Sequence, residues 1–224
     1  MALDHTIRAF DEDMGQLDGL IAEMGGLAQS QIRDAIQALR QGNHDLAGEV
    51  VARDKRLDAI EAEVEKLAIQ LIALRAPVAG DLRQVVAAFK ISGMLERVGD
   101  HAKNIARSTM KIRDFRFEPL ALVPAVAEIA EGMIHSVLNA YAAKDAVLAE
   151  EVVARDDEVD ALYRDLIRDL IQHLNEKSAN VITATELLLV ARNIERIGDN
   201  ATNIAEAIYY AATGIVMPDR HKNL

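Results

Sequence analysis

Two runs of acidic and amide side chains recur in this sequence, and their spacing suits a cation. Glu96, Asp100 and Asn104 are four residues apart, and so are Glu195, Asp199 and Asn203. Each step of four on an α-helix turns by only about 40°, so three oxygen-bearing side chains line one stripe. The surrounding residues 95–106 and 194–205 agree at eight of twelve positions, and two of the remaining differences are apolar exchanges. An acidic pair precedes each run: Asp54 with Asp58, and Asp156 with Asp160. They lie in segments 49–60 and 151–162, which again agree at eight of twelve positions. If neighbouring antiparallel helices set each pair beside its stripe, four carboxylates and an amide meet on one exposed face. Carboxylates that close repel, and a cation is the usual relief. All-oxygen donors favour Mg²⁺, Mn²⁺, Ca²⁺ or iron over a soft-ligand Zn²⁺ site.

A solvated helix face is the competing account, because acidic residues normally sit in water. Duplication alone does not overturn it, since a copied gene copies bland surfaces too. The retained positions shift the balance. Lys55 and Arg56 are replaced by Asp157 and Glu158, and Glu61 by Tyr163, while the Asp pair is kept. Asp157 gives the second cluster one more neighbouring negative charge. Gly99 and Gly198 are both kept in mid-helix, where Gly costs about 1 kcal/mol against Ala. They predict close approach of a neighbouring helix or ligand. Arg97 and Arg196 are also kept and, by pairing with nearby Asp residues, would compete with a metal. His101 is replaced by Asn200 and reads as a surface histidine.

The stripes need long helices to carry them. Met94, Val98, Ala102 and Ile105 fall opposite the first stripe, so the acidic side faces away from the core. Leu3, Ile7, Phe10, Met14, Leu17, Ile21 and Met24 alternate spacings of four and three, which predicts a long opening helix that continues past Gly25-Gly26. Gly42-Asn43 predicts its end, with Asn43 or Asp45 capping the next helix. The second helix stops before Pro77, and the third, from about Asp81 to Arg113, carries the first stripe. Phe115–Pro119 has no helical period and reads as a linker. The second half repeats the plan. The copies lie 102 residues apart from Asp54 to Asp156 and 99 apart from Glu96 to Glu195, so three residues are lost in the turn before the last helix. The expected fold is all-α: two tandem, sequence-similar three-helix bundles built from six long helices. Residues 1–114 form the first unit, 115–119 the linker, 120–216 the second unit and 217–224 a tail.

Composition narrows the function classes. Half of the 224 residues are hydrophobic and only 4% aromatic, which suits aliphatic helix packing. The absence of Cys excludes disulfides, thiolate metal sites and cysteine nucleophiles. A net charge of −11 argues against nucleic acid as a partner. No signal peptide is evident, and the run Ala207–Met217 is too short to span a bilayer, so a cytoplasmic protein is expected. There is no P-loop, no Gly-x-Gly-x-x-Gly, no Gly-x-Ser-x-Gly, no His-Glu-x-x-His and no Glu-x-x-His pair. No nucleophile–base arrangement is present, so no enzyme is expected. A two-metal hydrolase acting on phosphate compounds is the alternative, although nothing in the sequence reads a substrate.

These motifs together resemble the PhoU family of bacterial phosphate-signalling proteins. The resemblance rests on Leu95-Glu96-Arg97-Val98-Gly99-Asp100-x-Ala-x-Asn104, its copy at 194–203, the two Val-Val-Ala-Arg-Asp-x-x-x-Asp segments, and Asp81-Leu82-Arg83 after Pro77. It spans nearly the whole chain. It implies two similar three-helix bundles that carry multinuclear clusters of Mg, Mn or iron on their surfaces. The metal ligands it implies are Asp54, Asp58, Glu96, Asp100 and Asn104, with Asp156, Asp160, Glu195, Asp199 and Asn203. It further implies a homodimeric regulatory adaptor. Such a protein couples the ATPase subunit of the phosphate ABC transporter to a membrane sensor histidine kinase, represses the starvation response and restrains uptake. On this reading the chain meets the membrane only through its partners.

Overall fold

The computed structural model describes residues 2–176 and 181–218, with side chains for 9–174 and 181–218. The described residues are helical, without strands. In chain order they are α1 (Ala2–Gln41), α2 (His44–Arg75), α3 (Ala79–Thr109), a three-ten turn (Glu118–Leu122), α4 (Val123–Ala143), α5 (Ala146–Ala154), α6 (Asp156–Glu176) and α7 (Val181–Thr213).

The periodicity accounts for α1. Met14, Leu17, Ile21, Met24, Ala28, Ile32 and Leu39 are all buried along one face. Leu3 and Ile7 of the predicted seam lie outside the described side chains. Gly25 does not interrupt the helix. It lets α4 approach, since a Cβ there would stand 2.5 Å from Leu138 Cδ2. Gly42, at φ +61°, turns the chain out of α1. Asn43 then caps α2, its Oδ1 accepting from the Leu46 amide at 3.0 Å. α2 ends at Arg75, and Ala76 adopts the left-handed conformation ahead of Pro77.

The second half keeps the expected three-helix plan, with its middle helix interrupted between α5 and α6. That helix breaks at Arg155, where the Arg155 amide bonds Val152 O and the Glu158 amide bonds Arg155 O in tight three-residue turns. The sequence explains the placement. Asp156, Asp157 and Glu158 occupy the first turn of α6, where the helix dipole favours negative charge, whereas the first half has Lys55 and Arg56 inside a continuous α2.

α1, α2 and α3 pack on one another, and α4 packs with α5, α6 and α7. The broadest helix contact is α3 on α7, which joins the halves, assisted by α1 on α4. The buried apolar residues therefore form one continuous core. Glu118–Ala143 is long and apolar enough, by length and composition, to cross a membrane, a run the hydropathy pattern above did not single out. Its Val126, Ala130, Met133, Ile134 and Val137 are buried among the other helices, as a core helix requires. Of the tail, Met217 and Pro218 are described; the other tail residues lie outside the described set.

Candidate functional site

α3 carries the first acidic stripe and α7 the second, and the contact between these helices sets His101 of α3 facing Asp199 of α7. In the first half α2 packs along α3 and sets Asp54 and Asp58 beside Glu96 and Asp100. Arg53 steadies this arrangement by bonding Asp34 Oδ2 of α1 at 2.6 Å. The mutual approach is visible in the charge balance. Burial, followed by the fields of Asp100, Glu61, Asp58 and Asp54, pushes the Glu96 carboxyl up to about 7. In the second half burial, followed by Asp160, Asp199, Asp157 and Glu195, pushes Asp156 up to about 6. Glu195 and Asp199 are also raised, chiefly by burial. The predicted carboxylates thus meet in two clusters, one per repeat.

The clusters differ from the expected exposed face in three ways. First, the stripes are half-covered. Asp54 is 6% exposed, while Glu96 and Asp100 are intermediate, because the neighbouring helix roofs them. Asp58 and Asp160 remain at the open edge. Secondly, the carboxylate oxygens are not drawn together: among the described residues no group of three or more Asp, Glu or His side chains is arranged to hold one metal ion. Thirdly, the amides stand apart from the carboxylate oxygens. Asn104 Oδ1 accepts from Arg107 at 3.5 Å, and Asn203 Nδ2 donates to the Asp199 carbonyl at 2.8 Å.

The first cluster contains its own cation. Lys103 Nζ donates to both Asp54 Oδ2 and Asp100 Oδ1, bridging α3 to α2. In the second cluster Thr202 holds the corresponding position and turns its hydroxyl back to the Gly198 carbonyl at 3.3 Å. There Arg196 supplies the pairing anticipated for the retained arginines. Its Nη1 bonds Asp199 Oδ2 at 3.3 Å and its Nε lies 3.6 Å from Glu195 Oε2.

Besides Lys103, three participants were missed in the sequence. Glu61 joins the first cluster, its carboxyl raised by burial and by Asp58. Its spacing of seven from Asp54 places it on the same face of α2, a signal overshadowed by its replacement with Tyr163 in the copy. Gln31 reaches in from α1. It is 2% exposed and its Oε1 has no hydrogen-bond partner among the described residues. His101 is not a surface histidine. It is half-buried between α3 and α7, its Nδ1 3.0 Å from Asn193 Oδ1, and it faces Asp199. No spacing rule reveals that contact, because it crosses the repeats. Together with Arg97, Arg196, Asp156, Asp199 and Asn203, His101 lines an open cleft of about 450 Å³.

Hard oxygen donors in a cluster of excess negative charge fit Mg²⁺, Mn²⁺ or iron chemically. In the second repeat Asp156, Asp199 and Asn203 line the cleft beside Arg97, Arg196 and His101, and in the first a lysine ammonium stands among the carboxylates.

The PhoU domain family matches residues 21–109 and again 123–208. The phosphate-specific transport system accessory protein PhoU homologue of Zymomonas mobilis is 47% identical over 219 residues, spanning 97% of this chain and 92% of its own length. The Caulobacter vibrioides protein of the same name is 40% identical, across 94% of this chain and 93% of its own. The crystal structure of PhoU from Pseudomonas aeruginosa superposes with a TM-score of 0.86 at 29% identity, covering 92% of this chain and all of that one. Two matched domains, near-complete coverage and a shared architecture establish that this chain belongs to the PhoU family.

Proposed function

We propose that this protein is an accessory regulator of a phosphate transport system, acting by protein contact and using divalent or iron cations on its acidic clusters. The observation that carries the regulatory reading is the near full-length similarity to accessory proteins of that system. The acidic clusters support the metal part. Burial and neighbouring carboxylates raise Glu96 in the first cluster and Asp156 in the second, which marks an excess of negative charge in each, and the second opens onto a cleft. The donors would be Asp54, Asp58, Glu96 and Asp100 in one repeat, and Asp156, Asp160, Glu195 and Asp199 in the other. Asn104 and Asn203 lie at the ends of the stripes. A bound cation would neutralise the cluster and stiffen the α2–α3 or α6–α7 pair.

On this reading the partners are the transporter's ATPase subunit and a membrane sensor histidine kinase, the working place is the cytoplasm and the protein acts as a homodimer. The protein catalyses nothing. The test is a binding assay of the purified chain against the ATPase subunit and the kinase, with and without Mn²⁺, beside a turnover assay on phosphoesters and nucleotides. Binding without turnover is the expected result. Turnover of any phosphoester that is lost in Asp156→Ala/Asp199→Ala would overturn it in favour of a metal-dependent enzyme.

A further inference from the structure

The two acidic clusters come from one duplicated motif but are not electrically equivalent. In the first, the Lys103 ammonium is bonded to Asp54 and Asp100 at once, one carboxylate from each helix. The lysine side chain is only 15% exposed, so the contact is not a loose surface pair. In the second cluster the positions equivalent to Asp54 and Asp100 are Asp156 and Asp199, and the residue equivalent to Lys103 is Thr202. Thr202 carries no charge, and its hydroxyl is turned to its own helix. The arginine that pairs in this cluster, Arg196, is half-exposed and bonds or approaches only the α7 carboxylates Asp199 and Glu195, so it does not bridge the two helices as Lys103 does. Thr202, Asp156 and Asp199 line the open cleft, which leaves room where Lys103 stands in the first repeat.

The first cluster also shows what an occupant other than lysine would meet. Gln31 Oε1, buried and without a partner among the described residues, and Asp54 Oδ1 both face Gly99. They lie 2.8 and 3.7 Å from the point a Cβ would take there. A neutral oxygen held dry beside a buried carboxylate is a hard donor for a cation. Lys103 Nζ does not use it.

We propose that the Lys103 ammonium is a resident counter-cation of the first cluster that competes with divalent metal, so that the second repeat, with Thr202 in its place, loads first. This rests on the metal reading above and adds an order of filling to it. A metal enters the first cluster only by displacing the ammonium, and it then meets Asp54, Asp100 and Gln31. A unit positive charge within a few ångströms of a half-buried site weakens cation binding by roughly a hundredfold. The lysine thereby grades the response: one cation at low concentration, the next only at high.

The test is Mn²⁺ titration calorimetry on the full chain in three forms: wild type, Lys103→Thr and Thr202→Lys. The wild type is expected to show a tight class and a class roughly a hundredfold weaker. Lys103→Thr should tighten the weak class toward the other. Thr202→Lys gives the second cluster the same internal cation and should weaken the tight class. Lys103→Thr also leaves Asp54 without its partner. If that variant does not fold by circular dichroism, Thr202→Lys, whose change is at a partly exposed position, decides the matter. Unchanged isotherms in the folded variants would overturn the proposal while leaving the metal reading intact. A wild type that takes up no Mn²⁺ would overturn both, and the flat trace distinguishes that result from the first failure.

Discussion

Gly99 of α3 is packed so closely on Leu57 of α2 that a Cβ there would overlap the leucine Cδ1 and stand 2.8 Å from Gln31 Oε1. Its counterpart Gly198 is looser, with Val159 Cγ1 and Asp156 Oδ1 each at 3.4 Å from the same point. The duplicated glycine thus serves two purposes, and a paired substitution separates them. Gly99→Ala should cost about 1–3 kcal/mol, the usual range for overpacking a core. Gly198→Ala should be near neutral, because ordinary contact is offset by up to about 1 kcal/mol of helix propensity. Urea unfolding of both variants checks the difference. Equal effects would mean that neither helix pair is as close as described.

The raised carboxyls give stability a definite pH dependence in the metal-free protein. Glu96 titrates near 7 when folded and near 4.5 when unfolded, and Asp156 near 6 against 3.8. Below the unfolded values all four states are protonated and the groups contribute nothing. As pH rises, the unfolded chain ionises first, so the native state binds more protons and stability falls with pH. That fall occupies the window from about pH 4 to about pH 7 and is complete above it. With chelator present, thermal midpoints should therefore decline between pH 5 and pH 7.5, and Glu96→Gln should flatten part of the slope. A midpoint that rises over this interval in the chelated wild type would contradict the clustering.

The same clusters show what could be read from the sequence. Spacing by four placed Glu96, Asp100 and Asn104 on one stripe, and the repeat singled out Asp54 and Asp58 as a second retained pair, because both are properties of single helices and of copied segments. Burial of Asp54 could not be read this way, since it depends on how far α2 roofs α3. Lys103 was hidden for a different reason. Its copy is Thr202, and a search for retained chemistry passes over a residue that matters by being different. His101 contacts Asn193 across the repeats, and nothing in the local pattern of α3 encodes that partner. The break at Arg155 was legible in principle, as three acids in succession suit a helix start better than a helix interior.

The turn between α2 and α3 holds two non-glycine residues in the left-handed region, Ala76 and Ala79, each at φ +47°. For an L-residue with a Cβ this conformation costs roughly 1 kcal/mol, which glycine avoids. Ala76→Gly and Ala79→Gly should each stabilise the protein by up to about 0.6 kcal/mol, once the roughly 0.4–1 kcal/mol of unfolded-state entropy of glycine is set against the relieved strain. Guanidinium unfolding reads the change. Destabilisation by either substitution would show that the turn is not left-handed at that residue.

The repeats are also tied by a polar contact far from the acidic clusters. Tyr141 of α4 donates its hydroxyl to Asp18 Oδ1 of α1 at 2.7 Å, in a partly buried setting, and burial pushes the phenol well above its ordinary range. Hydrogen bonds to a charged acceptor are worth about 1.5–3 kcal/mol, so Tyr141→Phe should cost an amount in or below that range. The loss should fall on the joint between the halves, since the phenyl ring keeps the apolar packing and only the bond from one repeat to the other is removed. Hydrogen exchange provides the measurement. Amides of α1 and α4 facing this contact should lose protection in Tyr141→Phe, while those of α2 and α6 hold theirs. Loss spread evenly through all the helices would show instead that the two repeats unfold as one unit and that this bond has no special part in joining them.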